Sequence, residues 1–547
     1  MHPSLNTTSI DNDRPLFSTS LGRRQRQYLL LIMVLAVASF FVNLGLAPLK
    51  HEEPRRALIA LEMLFQDNWV VPTEMGEYYY KKPPLYNWVV IAGFGLFRNY
   101  SEFAVRFFSM LSFLGMGVLV FLMCRRYVGY SQAAYAGLLT WVMVDILFYF
   151  SATAGEIDLF YSFITLGSFF TIYHFYQRQQ YYALFITTYA LGALGALTKG
   201  LPSPVFLAVS LGIFFLYQGK LRKLFGLAHL TGLLTFALIV GGYFWWYDQY
   251  HPFINYFTSE DSLWSQSSER TMLQNKFTTL LPHLFLFPLE TLKNVAPASL
   301  LLLFTLRKDI LTVIRRQPFI LFCLLLFLGN VAVYWISPGT RSRYVYMLYP
   351  LLVTVLTYCF VSFQPVGPSN RFRWFHGIIT ALIALAGMTS VALPFIPQLE
   401  LVPNKVAVAI VANLALVALL VIHLRKPAYA LLNLILLAVI LRFIFAWVVL
   451  PYRAQEGSAA MDKTDAYQMT KIVQEAPLYL YQDSRCSLTT VFYLEREREA
   501  VLRHKSEPEA GAFFLADRRL LTDVKYDVFY TFTYDDLEFV LIRFRER

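Results

Sequence analysis

Residues 28–56 read YLLLIMVLAVASFFVNLGLAPLKHEEPRR. The stretch 28–49 is long enough to cross a bilayer, which takes about 20 apolar residues. HEEPRR, 51–56, then packs two acids and two arginines into six positions. Such a cluster is either a charged cap where a helix meets the membrane surface or part of a polar site held there. The rest of the sequence has to decide.

The apolar run is not alone. Of 547 residues, 57% are hydrophobic and 15% charged, with 48 Phe and 35 Tyr. A soluble chain carries about a quarter charged residues. Runs of helix-spanning length recur from residue 28 to residue 450, and no segment alternates as a transmembrane β-strand does. The pattern predicts an all-α polytopic membrane protein with about thirteen transmembrane helices, near 26–47, 103–123, 132–151, 158–176, 180–198, 202–218, 223–246, 293–306, 317–336, 344–363, 374–396, 403–423 and 428–450. Of these, 293–306 is short.

The net charge of +11 could suggest nucleic acid, but its distribution points elsewhere. With RRQR in the cytoplasm, the cytoplasmic loops contain Arg125–Arg126, QRQQ, GKLRKLFG, RKDILTVIRRQ, SNRFRWFH and HLRK. All are basic, as expected for an inner membrane, and this favours an odd helix count. LYNWVVIAGFGLF, 85–97, would invert that pattern if it crossed, so it is read as an interfacial helix. The expected organisation is a cytoplasmic tail 1–25 without a cleavable leader, a membrane domain 26–450 whose first outer loop is 48–102, and an extracytoplasmic segment 451–547.

That last segment differs in kind. KTDAYQMTKIVQEAP suits an amphipathic helix, while LYLYQ, TTVFYLE, AFFLAD, DVFYTFTY and EFVLIRF read as short β-rich stretches, together a small α/β domain. Cys486 is its only cysteine, which excludes a disulfide within it. No pair among the four cysteines has metal-ligand spacing.

Outward-facing charge is sparse and clustered. EEPRRALIALEML reads as a helix start, with acids before a proline. YYYKKPPLY places Lys81 and Lys82 before a Pro-Pro corner, where lysines can snorkel or bind phosphate. SATAGEIDLF brings Glu156 and Asp158 to a helix mouth, and Asp158 alone could be a cap. LTKGLPSP contributes Lys199; SPGTRSRYVYMLYP contributes Arg341 and Arg343 beside Tyr344 and Tyr346. Acids, bases and tyrosines on one side of the membrane suggest a site for an anionic, lipid-linked ligand.

In this order, the acidic pair Glu52–Glu53, R…A…EML, GEYYYKKPPLYNW, EID, LTKG and RYVYMLYP resemble the bacterial aminoarabinose-transferase branch of the lipid-phosphate-dependent glycosyltransferases, GT-C-fold enzymes related to protein O-mannosyltransferases. The resemblance runs over residues 26–450. It implies a polyprenyl-phosphate-sugar donor, a lipid, glycan or protein acceptor, and the periplasmic face of a bacterial inner membrane. It implies Glu52 at the position of the family's acceptor-assisting Asp, with Asp158 as the second acid. Arg55, Lys82, Tyr79 and Arg270 match the family's phosphate-site residues, and Tyr344 or Tyr346 its mobile-loop tyrosine. Glu53, Lys81, Lys199, Arg341 and Arg343 complete the expected substrate-binding set.

There are two departures. The family often places a metal-ligating Glu just before the phosphate lysine; here the residue is Lys81, which cannot ligate a metal. The family's His-rich stretch is missing, and only His251 and His283 lie in that loop. The expectation is therefore that no metal cofactor is needed. A flippase or transporter for a polyprenyl-linked sugar is the competing reading. It would carry its polar groups inside its spans, whereas here most sit in outer loops; Asp145 is an exception, within one span and without an obvious partner. An envelope scaffold is the third reading.

Overall fold

A computed structural model of the protein describes residues 22–149, 153–259, 277–363, 369–522 and 524–545. Each of the thirteen expected spans contains helix. Among the described residues, eight helices are long and apolar enough to cross a membrane. A ninth arises only if Leu280–Asn294 and Ala298–Phe304, bent by 106° at a short break, are counted together. The straight span expected at 293–306 is thus not formed: Pro297 stands at the break, where a helix cannot keep its hydrogen-bond ladder.

The elements that position the site come early. Helix α1 (Arg23–Phe41) is followed by α2 (Glu53–Phe65), with Pro54 in its first turn. A two-stranded hairpin, β1 (Thr73–Glu74) and β2 (Glu77–Tyr78), then leads into α3 (Leu85–Phe97) and α4 (Glu102–Tyr127). The hairpin turn falls at Met75–Gly76, both left-handed, at φ 56° and 74°. Two such residues make a turn whose twist suits the strands, and glycine adopts the conformation without strain. Next are α5 (Tyr130–Trp141), α6 (Ile157–Gln177), α7 (Tyr181–Lys199) and α8 (Pro202–Tyr217). Segment 85–97 is a helix, as expected, and packs against α2 and α4.

The basic loops gather at the far end of the bundle. Tyr127, at the end of α4, meets His174 at 3.0 Å, and Gln317 donates to its carbonyl at 3.1 Å. Lys223 lies over the Tyr181 ring there, at 4.5 Å.

Beyond residue 457 come two helices, Ser458–Val473 and Leu488–Arg498, and a five-stranded sheet. Its strands are β3 (Leu478–Tyr481), β4 (His504–Lys505), β5 (Phe513–Asp517), β6 (Tyr526–Tyr534) and β7 (Leu537–Phe544), in the order β4-β3-β5-β7-β6. One strand expectation fails. TTVFYLE is helical, because Ser487 caps the helix by accepting from the Thr489 N–H and residues 489–495 bury every side chain. A strand would bury alternate ones. Val491, Leu494 and Leu541 join Leu58, Leu61 and Val90 in one apolar cluster, so the tail shares a core with the first loop.

Candidate active site

The polar groups of the site come from helix ends and the loops between them, at one end of the bundle. Glu52 stands at the start of α2, yet its side chain caps nothing. It turns to Arg55, whose Nη1 donates to both its oxygens at 2.9 and 2.7 Å. Arg55 Nε reaches Glu74 on the hairpin at 2.8 Å. The next arginine, Arg56, is buried; it donates to the Tyr79 hydroxyl at 2.6 Å and lies over that ring. Across from them, Lys199 at the end of α7 holds Asp158 at 2.5 Å and sits above the Tyr344 ring at 4.7 Å. Arg343 donates to Glu156 and stands 3.9 Å from Asp158. Asp158 is therefore an ion-pair partner rather than the cap it could have been.

These groups surround a cavity of about 170 Å³, also lined by Lys81, Lys82 and Arg341. Seven cationic side chains face three carboxylates, Glu52, Glu156 and Asp158. That excess suits a phosphate, and the volume suits a head group rather than a whole lipid. Burial pushes the Glu52 carboxyl up, but Arg55 and Arg56 outweigh it and hold the group below the usual carboxylate range. Glu156 moves the other way: burial, then the charge of Asp158, push it up to about 8.

A second cavity, about 380 Å³, adjoins the first and shares Glu52, Arg341 and Arg343 with it. Its remaining walls include His51, Asp145, Tyr149 and Tyr346. Asp145 does have a partner: the Tyr346 hydroxyl donates to it at 2.7 Å.

Ten of the sequence-predicted residues meet at the first cavity: Glu52, Arg55, Tyr79, Lys81, Lys82, Asp158, Lys199, Arg341, Arg343 and Tyr344. Tyr346 lines only the second. Glu53 lies at neither. It is fully buried, with Arg106 Nε and Nη2 on its two oxygens at 2.8 and 3.0 Å and the Gly155 N–H at 2.5 Å. A Cβ at Gly155 would meet Val105 at 2.5 Å, so only glycine lets that loop come so close. Arg106 also donates to the carbonyls of Leu44, Ala47 and Pro48, which ties the chain entering α2 to α4. Arg270 lies outside the described residues.

Sequence reasoning passed over Arg56 and Arg106, and it named Glu156 at the helix mouth without choosing it as a site residue. Arg56 was in a quoted motif, beside Arg55, which was chosen. Arg106 carried its own signal, a cation at the mouth of an apolar helix.

Each of the three carboxylates in the cavity is paired with a cation, and Lys81 is part of the lining. Among the described residues no three His, Cys, Asp or Glu are arranged to hold one. His251 is stacked on Tyr78 and bonded to the Tyr80 hydroxyl, and His283 faces a backbone carbonyl.

Known proteins resemble the chain in sequence and in fold. Residues 81–246 match the family described as dolichyl-phosphate-mannose-protein mannosyltransferase. An undecaprenyl phosphate-alpha-4-amino-4-deoxy-L-arabinose arabinosyl transferase of Pseudomonas aeruginosa (strain LESB58) is 26% identical over 393 residues, 68% of this chain and 66% of that one. Two uncharacterized proteins of Aquifex aeolicus (strain VF5) are each 28% identical, over stretches spanning 42% and 51% of their own lengths. The chain thus spans about half the length of these relatives or less. In fold, it is similar to ArnT from Cupriavidus metallidurans bound to undecaprenyl phosphate, with a TM-score of 0.67 and 19% identity over 94% of this chain and 98% of that one. The chain is thus similar to aminoarabinose transferases in sequence over part of its length and in fold over nearly all of it.

Proposed function

We propose that the protein is a glycosyltransferase of a bacterial inner membrane, moving a sugar from a polyprenyl-phosphate donor to an acceptor on the periplasmic side. In this reading the N-terminus is cytoplasmic and the tail lies outside. The observation that carries the proposal is the position of Glu52, which stands between a phosphate-sized cationic cavity and a second, roomier one.

The donor phosphate sits among Arg55, Arg56, Lys82 and Arg341. An acceptor hydroxyl in the second cavity attacks the anomeric carbon. The bond from that carbon to the phosphate oxygen breaks, the phosphate leaves with the electron pair, and Glu52 takes the acceptor proton. Positive charge grows on the sugar and negative charge on the phosphate, so fixed cations favour the transition state over the ground state. Donor binding also tunes the base. A phosphate on Arg55 and Arg56 competes with Glu52 for their charge and adds its own, and both effects raise the affinity of Glu52 for a proton. Lys199 and Arg343 hold Asp158 in place.

A flippase would need its polar groups deep in the spans; here they cluster at one end of the bundle. Purified protein in proteoliposomes, given a lipid-linked sugar fraction and an envelope extract, should move the sugar onto the extract. Sugar that only changes leaflet, without a new glycosidic bond, would favour the flippase.

A further inference from the structure

A third cavity, about 1190 Å³, lies between the tail and the first loop. One wall carries Lys50, His51 and Arg55; the other belongs to the tail and bears Ser458, Thr464, Asp465, Thr533, Asp535 and Asp536. It shares Arg55 with the cationic cavity and His51 with the second, so it stands next to both. Its volume exceeds the roughly 300–1,000 Å³ of an ordinary small-molecule pocket.

The tail wall is built to accept hydrogen bonds. Asp535 and Asp536 form the two-residue turn between β6 and β7, both left-handed at φ 48° and 61°, and both exposed. A turn of this kind fixes the two carboxylates on a rigid hairpin. Asp465 is oriented by the Tyr530 hydroxyl at 2.8 Å, a bond that leaves its other oxygen lone pairs for a ligand. Carboxylates and hydroxyls in such density suit a partner rich in O–H donors. The tail is held in register with the site. The Tyr493 hydroxyl donates to Glu102 and accepts from the Leu49 N–H, and Lys463 reaches the same Glu102.

Resting on the glycosyltransferase reading, we infer that this cavity receives the body of the acceptor while its attacking hydroxyl enters the adjoining second cavity, that the acceptor is a polyhydroxylated oligosaccharide or glycan head group, and that Asp465, Asp535 and Asp536 select it. The tail then binds the acceptor and takes no part in the chemistry.

The test uses the full chain in nanodiscs and two variants. Thr533→Trp fills the cavity from an exposed position, and the double change Asp535→Asn/Asp536→Asn removes charge without bulk. The probes are undecaprenyl phosphate for the donor site and lipid-free oligosaccharides released from the envelope as acceptor, with the labelled lipid-linked sugar fraction as donor. Both variants should raise the KM for oligosaccharide about tenfold or more, the loss expected for one or two charge-assisted hydrogen bonds. Undecaprenyl phosphate affinity and release of the sugar to water should stay at wild-type levels. If Thr533→Trp fails to fold, the double variant decides alone. Wild-type KM in the variants, or label passing from wild-type protein to polypeptide or to sugar-free lipid, overturns the inference. A wild-type protein that neither binds undecaprenyl phosphate nor releases sugar overturns the glycosyltransferase reading, and this inference with it.

Discussion

Glu52 and Glu53 are neighbours in sequence and opposites in the fold. Glu53 points into the protein, fully buried, with both oxygens bonded to Arg106 and to backbone N–H groups. Glu52 points to the cavity, partly exposed, its charge balanced by Arg55. The same division continues along α2. Arg55 and Arg56 line the cavity, while Glu62 is buried and accepts from the Thr73 hydroxyl and from the N–H groups of Met75 and Gly76. The buried carboxylates of the helix, Glu53 and Glu62, tie the loop together, and Glu52, Arg55 and Arg56 line the cavity. An acidic pair read from sequence hides this split, because successive helical residues point about 100° apart.

The largest effect should come from the buried carboxylates. Arg106→Ala leaves the Glu53 carboxylate buried without its counter-ion, which costs about 3–5 kcal/mol. The expected result is a sharp fall in folded yield and in Tm for detergent-purified protein. Full wild-type Tm in that variant would break the comparison, since Glu53 would then be no anchor.

The cavity-lining side chains should respond in the opposite way. Glu52→Gln keeps the shape but removes the charge and the basicity. Turnover should fall by roughly 10²–10⁴-fold, the usual worth of a general base, with Tm and undecaprenyl phosphate affinity little changed. Lys82→Ala sharpens the point. It removes a phosphate contact made in both ground and transition states, so donor affinity and turnover should fall together. Calorimetric binding beside initial rates separates the two patterns.

How far all this was legible depends on distance along the chain. Helix positions followed from apolar runs, and the cavity residues from local polar motifs, because each motif kept its own signal. What the sequence could not reveal were the pairings across it: Glu53 with Arg106, Asp145 with Tyr346, Glu156 with Arg343. Each joins residues more than 50 positions apart, and only the packed bundle brings them together. TTVFYLE misled for a related reason. Its β-branched and aromatic residues favour a strand, but burial on every side and the Ser487 cap favour a helix.

A smaller effect is expected at Glu62. Burial pushes its carboxyl up to about 7, and Glu495, in the tail helix facing α2, is raised by burial and by Glu62 itself. A carboxyl whose pKa rises on folding binds more protons in the folded chain. Its stabilising contribution is complete below about 4.5, the ordinary value, and is lost as pH climbs through about 7. Wild-type Tm should therefore decline over that window. Glu62→Gln carries no such charge, so its Tm should decline less and exceed the wild type above pH 7. Parallel Tm–pH curves for the two proteins would show that this buried carboxyl does not titrate there.

The smallest expected effect is none at all, and it tests the cavity-lining side chains from the other side. If the cavity neutralises the leaving phosphate with fixed cations, a divalent ion has no place to fill. Lys81 stands on the cavity wall and Glu52, Glu156 and Asp158 are each paired with a side-chain cation. A metal would have to displace one of those cations and sit beside the others, against their repulsion. Transfer in proteoliposomes should thus proceed at the same rate after EDTA treatment and after adding back magnesium or zinc. The informative control is Lys81→Glu, which puts a ligand where the cation was. It should lower donor affinity without metal, and metal should restore part of it. Loss of wild-type transfer on chelation, recovered by either ion, would mean that the carboxylates leave their partners when donor binds, and Glu52 would then have to be reassigned from proton acceptor to ligand.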